Sequence, residues 1–503
     1  MIWVSRDGVV LRDLVPTRLR RRWVAEGHCP DRDIHSLFTD RVRAHPERVA
    51  VIDDDGSLTY AALDASVRRA AAGLAGLGLG HRDIIGIQLP NGRDAVIAEL
   101  AVAALGAVAL PYPVGRGPRD ARALLGRSRA RVVITATPPG LPDVVVCRSP
   151  SALAGDPAWR PAPVDPEAPA RILVSSGSET EPKMVAYSHN AMAGGRGNYV
   201  RAVHRGADMR DLVLVPLASA FGSFGTPVTL ARFGGTLLLA AEFDPAAALR
   251  MIADHRPTHV FGVPTMLRRM TEHPSTVDVS GLAAVVASGA DLPPATATAC
   301  RERFRCPVVN VYGSSDGVNC HTRDTAGGVG RPDPAVTEIR VADGEILARG
   351  PMTPLCYVNA PELDERYRLI GGWVRTGDRG RLDERHRLHV TGRLRRIAVR
   401  GGHNISLAEV EQHVSAHPAV VDSACLAAPD PDLGERVCAF VVPRPGAGLT
   451  AAGLLTFLAG AGLDRHKHPE HVLFLDALPL GPTGKVCHRS LLDVLGGVPG
   501  AGW

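Results

Sequence analysis

The chain has 503 residues, 45% of them hydrophobic and 22% charged, with a formal net charge of +5. That length exceeds what one hydrophobic core accommodates, so two or more domains are expected, and the composition excludes a disordered or fibrous chain. So small a positive charge gives no case for nucleic-acid binding and slightly favours anionic small molecules.

The N-terminal stretch MIWVSRDGVVLRDLVPTRLRRRW lacks the apolar core of a signal peptide, and a cytoplasmic location is expected. Predicted helices and strands then alternate. Residues 60–78 place Leu63, Val67, Ala71 and Leu74 on one helical face, and IIGIQL (84–89) reads as a buried strand. The longest apolar stretch, 95–114, contains Glu99 and ends in Pro111-Tyr112-Pro113. It reads as a buried helix running into a strand, not as a membrane span. The scheme recurs in ARALLGRSRA before the strand 131–135, and in PAAALRMIADH before the strand 258–263. Helices alternating with short apolar strands imply an α/β fold of mostly parallel sheets with helices on both faces.

Residues 142–170 are Pro-rich and read as a surface crossing. Ile172-Leu173-Val174 then reads as a strand entering SSGSETEPK (175–183), a loop expected to continue into a helix. Such a loop offers backbone N–H groups, the hydroxyls of Ser176 and Ser178, the close approach of Gly177 and the charge of Lys183 to phosphate oxygens. Composition shifts again at GRLRRIAVRGGHN (392–404), and SLAEVEQHVSAHP opens like a capping box, Ser406 with Glu409. VVDSACLAAP and RVCAFVVP follow as strands. A boundary near Leu394–Arg396 divides the chain into domains 1–394 and 395–503.

Nine cysteines with no Cys-x-x-Cys pair read as buried thiols of a reducing compartment, with neither a disulfide frame nor a zinc site. Lysine occurs only at 183, 467 and 485, so 54 of the 57 basic residues are arginine. The remaining lysines are candidates for tasks that need a compact ammonium on a flexible stem.

Four later stretches carry chemistry. NVYGSSDG (310–317) offers the ring of Tyr312, a turn at Gly313 and a carboxylate, Asp316, able to hold Mg²⁺. VRTGDRG (374–380) places Asp378 where it could grip ribose hydroxyls. TGRLRR (391–396) follows, and LPLGPTGKVCHRSL (478–491) sets Lys485 on a Gly/Pro loop. In this order the stretches resemble the adenylate-forming enzymes: acyl-CoA ligases, aryl-acid ligases, peptide-synthetase adenylation domains and luciferases. The resemblance runs from LTYAALD (58–64) and LGAVALPYP (105–113) to TGKV (483–486), and is nearest to the acyl-CoA ligases.

The resemblance implies a large N-terminal domain of doubly wound, mostly parallel sheets with a small distorted β-barrel, and a small mobile α+β C-terminal domain hinged near Arg396. It implies attack of a carboxylate on the ATP α-phosphate, then displacement of AMP by a thiol, either CoA or a carrier-protein arm. Tyr312 would stack on adenine, with Gly313 and Ser315 beside it. Asp378 and Arg393 would hold the ribose and phosphate, Asp316 the Mg²⁺, and Lys485 the reacting carboxylate and α-phosphate. Ser288-Gly289-Ala290 would line the adenine and acyl site, and Ser219, Phe221 and Gly222 the acyl pocket. Gly401, Gly402 and His403 would border the pantetheine arm, the double glycine favouring CoA over a carrier protein.

Two departures stand out. Glu179 and Thr180 replace a hydroxyl residue and a glycine of the family's phosphate loop. A unit charge about 4 Å from a phosphate costs roughly 1–4 kcal/mol at surface-like dielectric, or roughly ten- to a thousandfold in affinity. One expectation is therefore that adenylation is weak or lost, with a separate adenylating enzyme supplying acyl-AMP. The others are an ordinary two-step ligase and a stand-alone enzyme that loads a carrier protein. Ser219 and Ala220 replace His-Asn or His, so a roomy apolar pocket for a bulky acid is expected. Partners are then small molecules and CoA, without nucleic acid or membrane, and the protein is a monomer or homodimer.

Overall fold

The computed structural model describes residues 1–496 apart from 115, 117, 139–143, 154, 157, 176–181, 326, 395, 401–402, 431–432, 462 and 464. The chain groups into two compact units. Met1–Arg340, Leu347–Thr376 and Asp383–Leu388 form the first; Val341–Ile346, Gly377–Leu382 and His389–Trp503 form the second.

Two sheets dominate the first unit. The seven-stranded one runs in the order Cys356–Tyr357, Lys183–Ser188, Pro169–Ser175, Val108–Pro111, Ile84–Gln88, Val132–Thr135, Val145–Cys147. From Pro169–Ser175 to Val145–Cys147 its neighbours are parallel, as continuous apolar strands between helical segments require. The eight-stranded sheet runs Asn319–Thr322, Val308–Gly313, Ala284–Ser288, His259–Gly262, Arg210–Val213, Thr236–Leu239, Val49–Asp53, Gly56–Thr59. Its six inner strands are parallel and its two edge strands antiparallel. A further five-stranded sheet lies between Glu338 and Arg393.

The doubly wound reading therefore holds, and the predicted helix 60–78 is observed at Tyr60–Gly76. The stretch 95–114 is a helix, Arg93–Ala104, followed by the strand Val108–Pro111. Every residue from Ala95 to Ala104 is buried, the state expected of a helix apolar on all sides. Among the described residues no helix is long and apolar enough to cross a membrane. Glu99, in the middle of that helix, meets Arg171 of the strand Pro169–Ser175 at 2.5 Å, both side chains nearly inaccessible. Burial pushes the Glu99 carboxyl up, and the adjacent guanidinium pulls it back.

One expectation is corrected. The segment after the phosphate loop is a strand, Lys183–Ser188, antiparallel to Pro169–Ser175, and not a helix. Met184, Val185, Ala186 and Tyr187 are all buried, so this apolar run serves the sheet rather than one helical face. The loop thus closes a hairpin, with Ser175 and Lys183 directly opposite each other.

In the second unit a sheet runs His403–Ser406, Ile397–Arg400, Gly434–Pro443, Val420–Asp430, with His471–Phe474 parallel to Gly434–Pro443. Two apolar clusters form its core. Val410, Leu454 and Leu458 belong to one, Phe440, Leu478 and Leu491 to the other. The predicted cap is half realised. Ser406 Oγ accepts the Glu409 N–H at 3.3 Å, while the Glu409 carboxylate pairs with Lys467 at 2.7 Å. One of the three lysines is thereby accounted for as structural.

Candidate active site

Strands 308–313, 284–288, 259–262 and 210–213 are consecutive parallel neighbours, so their C-terminal ends share one sheet edge. In sheets of this kind ligands bind at that edge. Three of the predicted groups follow from it. Ser288 pairs in register with Val311, which sets Ser288-Gly289-Ala290 beside Tyr312 and Gly313. Gly289 has φ 94°, a left-handed conformation that suits glycine. The stretch 215–222 leaves the same edge after Arg210–Val213.

Tyr312 is half-buried and Gly313 exposed. Beyond them the turn is held by two tyrosines that sequence reasoning missed. Tyr187 donates to the carbonyl of Ser315 at 2.6 Å. Tyr357 donates to Asp316 Oδ1 at 2.5 Å, and burial together with the Asp316 charge pushes its phenol far up. The tyrosine therefore stays the donor and Asp316 the acceptor. Among the described residues no hydrogen bond reaches Asp316 Oδ2, so the carboxylate fits a Mg²⁺ ion as a single ligand, an arrangement Mg²⁺ uses when phosphates and waters fill the other positions.

Lys183 begins its strand with Nζ 4.1 Å from the ring centroid of Tyr367. Ser176, Gly177, Ser178, Glu179 and Thr180 lie outside the described residues. The Pro182 carbonyl just after them accepts from Arg127 at 3.2 Å.

The acyl-side stretch is tightly fixed. Ser219 is buried, and its hydroxyl accepts the Gly222 N–H at 3.0 Å. A Cβ on Gly222 would lie 2.2 Å from the Pro216 oxygen, so only glycine fits. Arg171 donates to Leu217 O at 2.6 Å and Arg196 to Ala220 O at 2.9 Å. Phe224 is fully buried with its ring 4.4 Å from Phe261, so it is core. Phe221 is half-buried beside both rings.

In the second unit, Asp378 is buried on the strand Trp373–Leu382. Lys485 is exposed on a tight turn closed by Gly481 N–H to Lys485 O at 2.7 Å, with Gly484 at φ 73°. Arg393 ends the strand Leu388–Arg393, and His403 opens His403–Ser406 opposite Arg400. Gly401 and Gly402 lie outside the described residues. Arg396 is anchored locally, to Glu411 at 2.5 Å and to Cys425 O at 3.0 Å.

His204, Asp211 and His259 are buried in the first unit with one ligand atom each within 4.8 Å of the others. His204 and Asp211 are hydrogen-bonded, and the His259 ring lies against that of His204 with centroids 3.9 Å apart. His204 Nε2 meets Asp211 at 2.7 Å, His204 Nδ1 meets Val200 O at 2.7 Å, and Thr229 donates to Asp211 at 2.7 Å. Burial, reinforced by the neighbouring His204, lowers the His259 imidazole from 6.5 to about 4. The unfolded chain therefore binds more protons between those values, and stability falls as pH drops from 6.5 to 4 by about 3 kcal/mol from this group. For His204, burial is outweighed by the Asp211 charge and hydrogen bond, and the imidazole is raised. Its contribution is present below 6.5 and is lost as pH rises. His259→Gln is expected to flatten the acid limb of the thermal-midpoint profile, and an unaltered limb would contradict the assignment.

Comparison with known proteins gives a consistent picture. Residues 38–358 match the AMP-binding enzyme family, and residues 409–485 match the AMP-binding enzyme C-terminal domain. Triostin synthetase I of Streptomyces triostinicus is 31% identical over 95% of this chain and 97% of its own. A 3-[(3aS,4S,7aS)-7a-methyl-1,5-dioxo-octahydro-1H-inden-4-yl]propanoyl:CoA ligase of Mycobacterium tuberculosis is 31% identical over 92% of this chain and 99% of its own. Among solved structures, the amide bond synthetase McbA of Marinactinospora thermotolerans superposes with a TM-score of 0.80 at 29% identity, covering 92% of this chain and 99% of that one.

Proposed function

The chain belongs to the AMP-binding enzyme family, and on that premise we propose that it is an acyl-CoA ligase that mainly transfers a preformed acyl-adenylate to CoA. The observation that carries the second half of this reading is the pair Glu179-Thr180 in the loop that joins Ser175 to Lys183. An added carboxylate and an added Cβ both act against the β- and γ-phosphates of ATP. The groups assigned to the AMP portion, Tyr312, Asp378 and Arg393, are retained.

The roles follow the chemistry. In the weakened first step a carboxylate oxygen attacks the α-phosphorus and pyrophosphate leaves. Lys485 stabilises the charge that gathers on the shared oxygens. Mg²⁺, when bound by Asp316, neutralises phosphate charge. Tyr357 and Tyr187 keep Asp316 and the Ser315 backbone in place. In the second step the CoA sulfur attacks the acyl carbon, the C–O bond to AMP breaks, and AMP departs with the electron pair while the thiol proton is released. Gly401, Gly402 and His403 would border the pantetheine arm, and Arg396 would be the hinge that exchanges the two steps.

The acid is proposed to be bulky and apolar. Small residues at 218–220 and the half-buried ring of Phe221 support that, and the Mycobacterium tuberculosis relative is named for a bicyclic propanoate. Acid-dependent exchange of labelled pyrophosphate into ATP reports the first step alone. Exchange is expected to be near background for acids whose adenylates are good acyl donors; robust exchange would overturn the non-adenylating part of the reading.

A further inference from the structure

Lys183 Nζ lies 4.1 Å from the ring centroid of Tyr367, well inside the roughly 6 Å over which an aromatic face attracts an ammonium. Both side chains are half-buried, where that attraction exceeds its value at a fully exposed pair. The guanidinium of Arg366 approaches the same ring less closely, at 5.5 Å. A carboxylate in the place of the ring would orient the lysine but also cancel its charge. A ring face orients the ammonium and leaves the charge available to a phosphate.

The ring is itself mounted on the strand that carries the lysine. Tyr367 is the last residue of the short helix Pro361–Tyr367. Asp364 of that helix accepts the Tyr357 N–H at 2.9 Å, and the Tyr357 and Tyr367 rings lie 5.9 Å apart. Tyr357 is directly opposite Val185 in an antiparallel pair, so the two share a sheet face. Lys183, two positions before Val185, points to that face as well. The Tyr357 hydroxyl completes the line by donating to Asp316. The lysine of the phosphate loop and the carboxylate assigned to Mg²⁺ are thus joined through two tyrosines.

We infer that Tyr367 is a positioning residue, which holds the Lys183 ammonium ready for the β- and γ-phosphates of ATP. This rests on the assignment of the loop 175–183 to those phosphates in the reading above. A lysine on a four-carbon stem loses rotamer freedom when it engages a ligand, and a contact that orders it beforehand removes part of that cost. The effect is confined to ligands that carry the outer phosphates, which AMP lacks.

The test measures dissociation constants for ATP with Mg²⁺ and for AMP, by displacement of a fluorescent AMP analogue from the full chain. Tyr367→Leu is expected to weaken ATP by about 3- to 30-fold and AMP by no more than about twofold. Tyr367→Met serves the same purpose if the leucine variant does not fold. Tyr367→Phe, which keeps the ring face, should hold ATP within about twofold of the wild type. In a Lys183→Met background, Tyr367→Leu should add less than about twofold, because the contact is already gone. Equal losses for ATP and AMP, a phenylalanine variant as weak as the leucine one, or an undiminished effect without Lys183 would each overturn the inference. Thioester formation from a synthetic acyl-adenylate and CoA is followed in the wild type in parallel. Its absence, with the ATP and AMP constants shifting as expected, would refute the ligase reading and leave this one standing.

Discussion

Lys485→Ala is expected to lower ATP-dependent thioester formation by about 100- to 1,000-fold while changing transfer from a supplied acyl-adenylate by no more than about threefold. The asymmetry follows from where charge gathers. Joining a carboxylate to the α-phosphate brings two anions together, and an ammonium aimed at the shared oxygens matters most at that moment. Thiol attack on the finished mixed anhydride needs no such bridge. The turn that carries Lys485 is narrow, with Gly484 at φ 73° and the Gly481 N–H bonded to the Lys485 carbonyl. In a chain that otherwise uses arginine, a lysine on that turn is expected to serve through its compact ammonium, so Lys485→Arg should not restore adenylation. Equal losses in both half-reactions would mean that the residue positions the second unit instead of serving the first step.

The second large effect has the opposite sign. Glu179→Thr combined with Thr180→Gly is expected to raise acid-dependent pyrophosphate exchange by roughly ten- to a thousandfold, the range given by one unit charge near a phosphate. The single Glu179→Thr change should supply most of it, because charge acts at longer range than a methyl clash. Transfer from acyl-AMP to CoA should stay within about twofold, since neither residue is assigned to the AMP portion. No gain in exchange would place the defect elsewhere, with Asp316 in its bond to Tyr357 the next place to look.

How far the fold could be read from the chain depended on how local its cause was. The strands Ile84–Gln88, Val132–Thr135 and His259–Gly262 lie within a residue of expectation because each is a short apolar run after a helical period. Ser406 was identifiable as a helix cap because the bond it makes lies within three residues. The segment Lys183–Ser188 departs from expectation because a small-residue loop ahead of a lysine suggests a strand–loop–helix unit, while its unbroken apolar run suits a sheet. At the candidate site the motif residues stand out in the sequence, whereas the side chains that hold them do not. Tyr357 reaches Asp316 across 41 positions and Tyr187 reaches Ser315 across 128. Glu99 announced itself as a lone charge in an apolar stretch, yet its partner Arg171 is 72 positions away.

The central claim is that this protein hands an acyl group from AMP to CoA far better than it makes the adenylate. The most direct measurement gives the purified wild-type enzyme the same acid in two forms, free with ATP and Mg²⁺ or as synthetic acyl-adenylate, each with CoA, and follows the thioester. The account predicts thioester from the adenylate at a rate at least about tenfold above that from acid and ATP; equal rates from the two would contradict it.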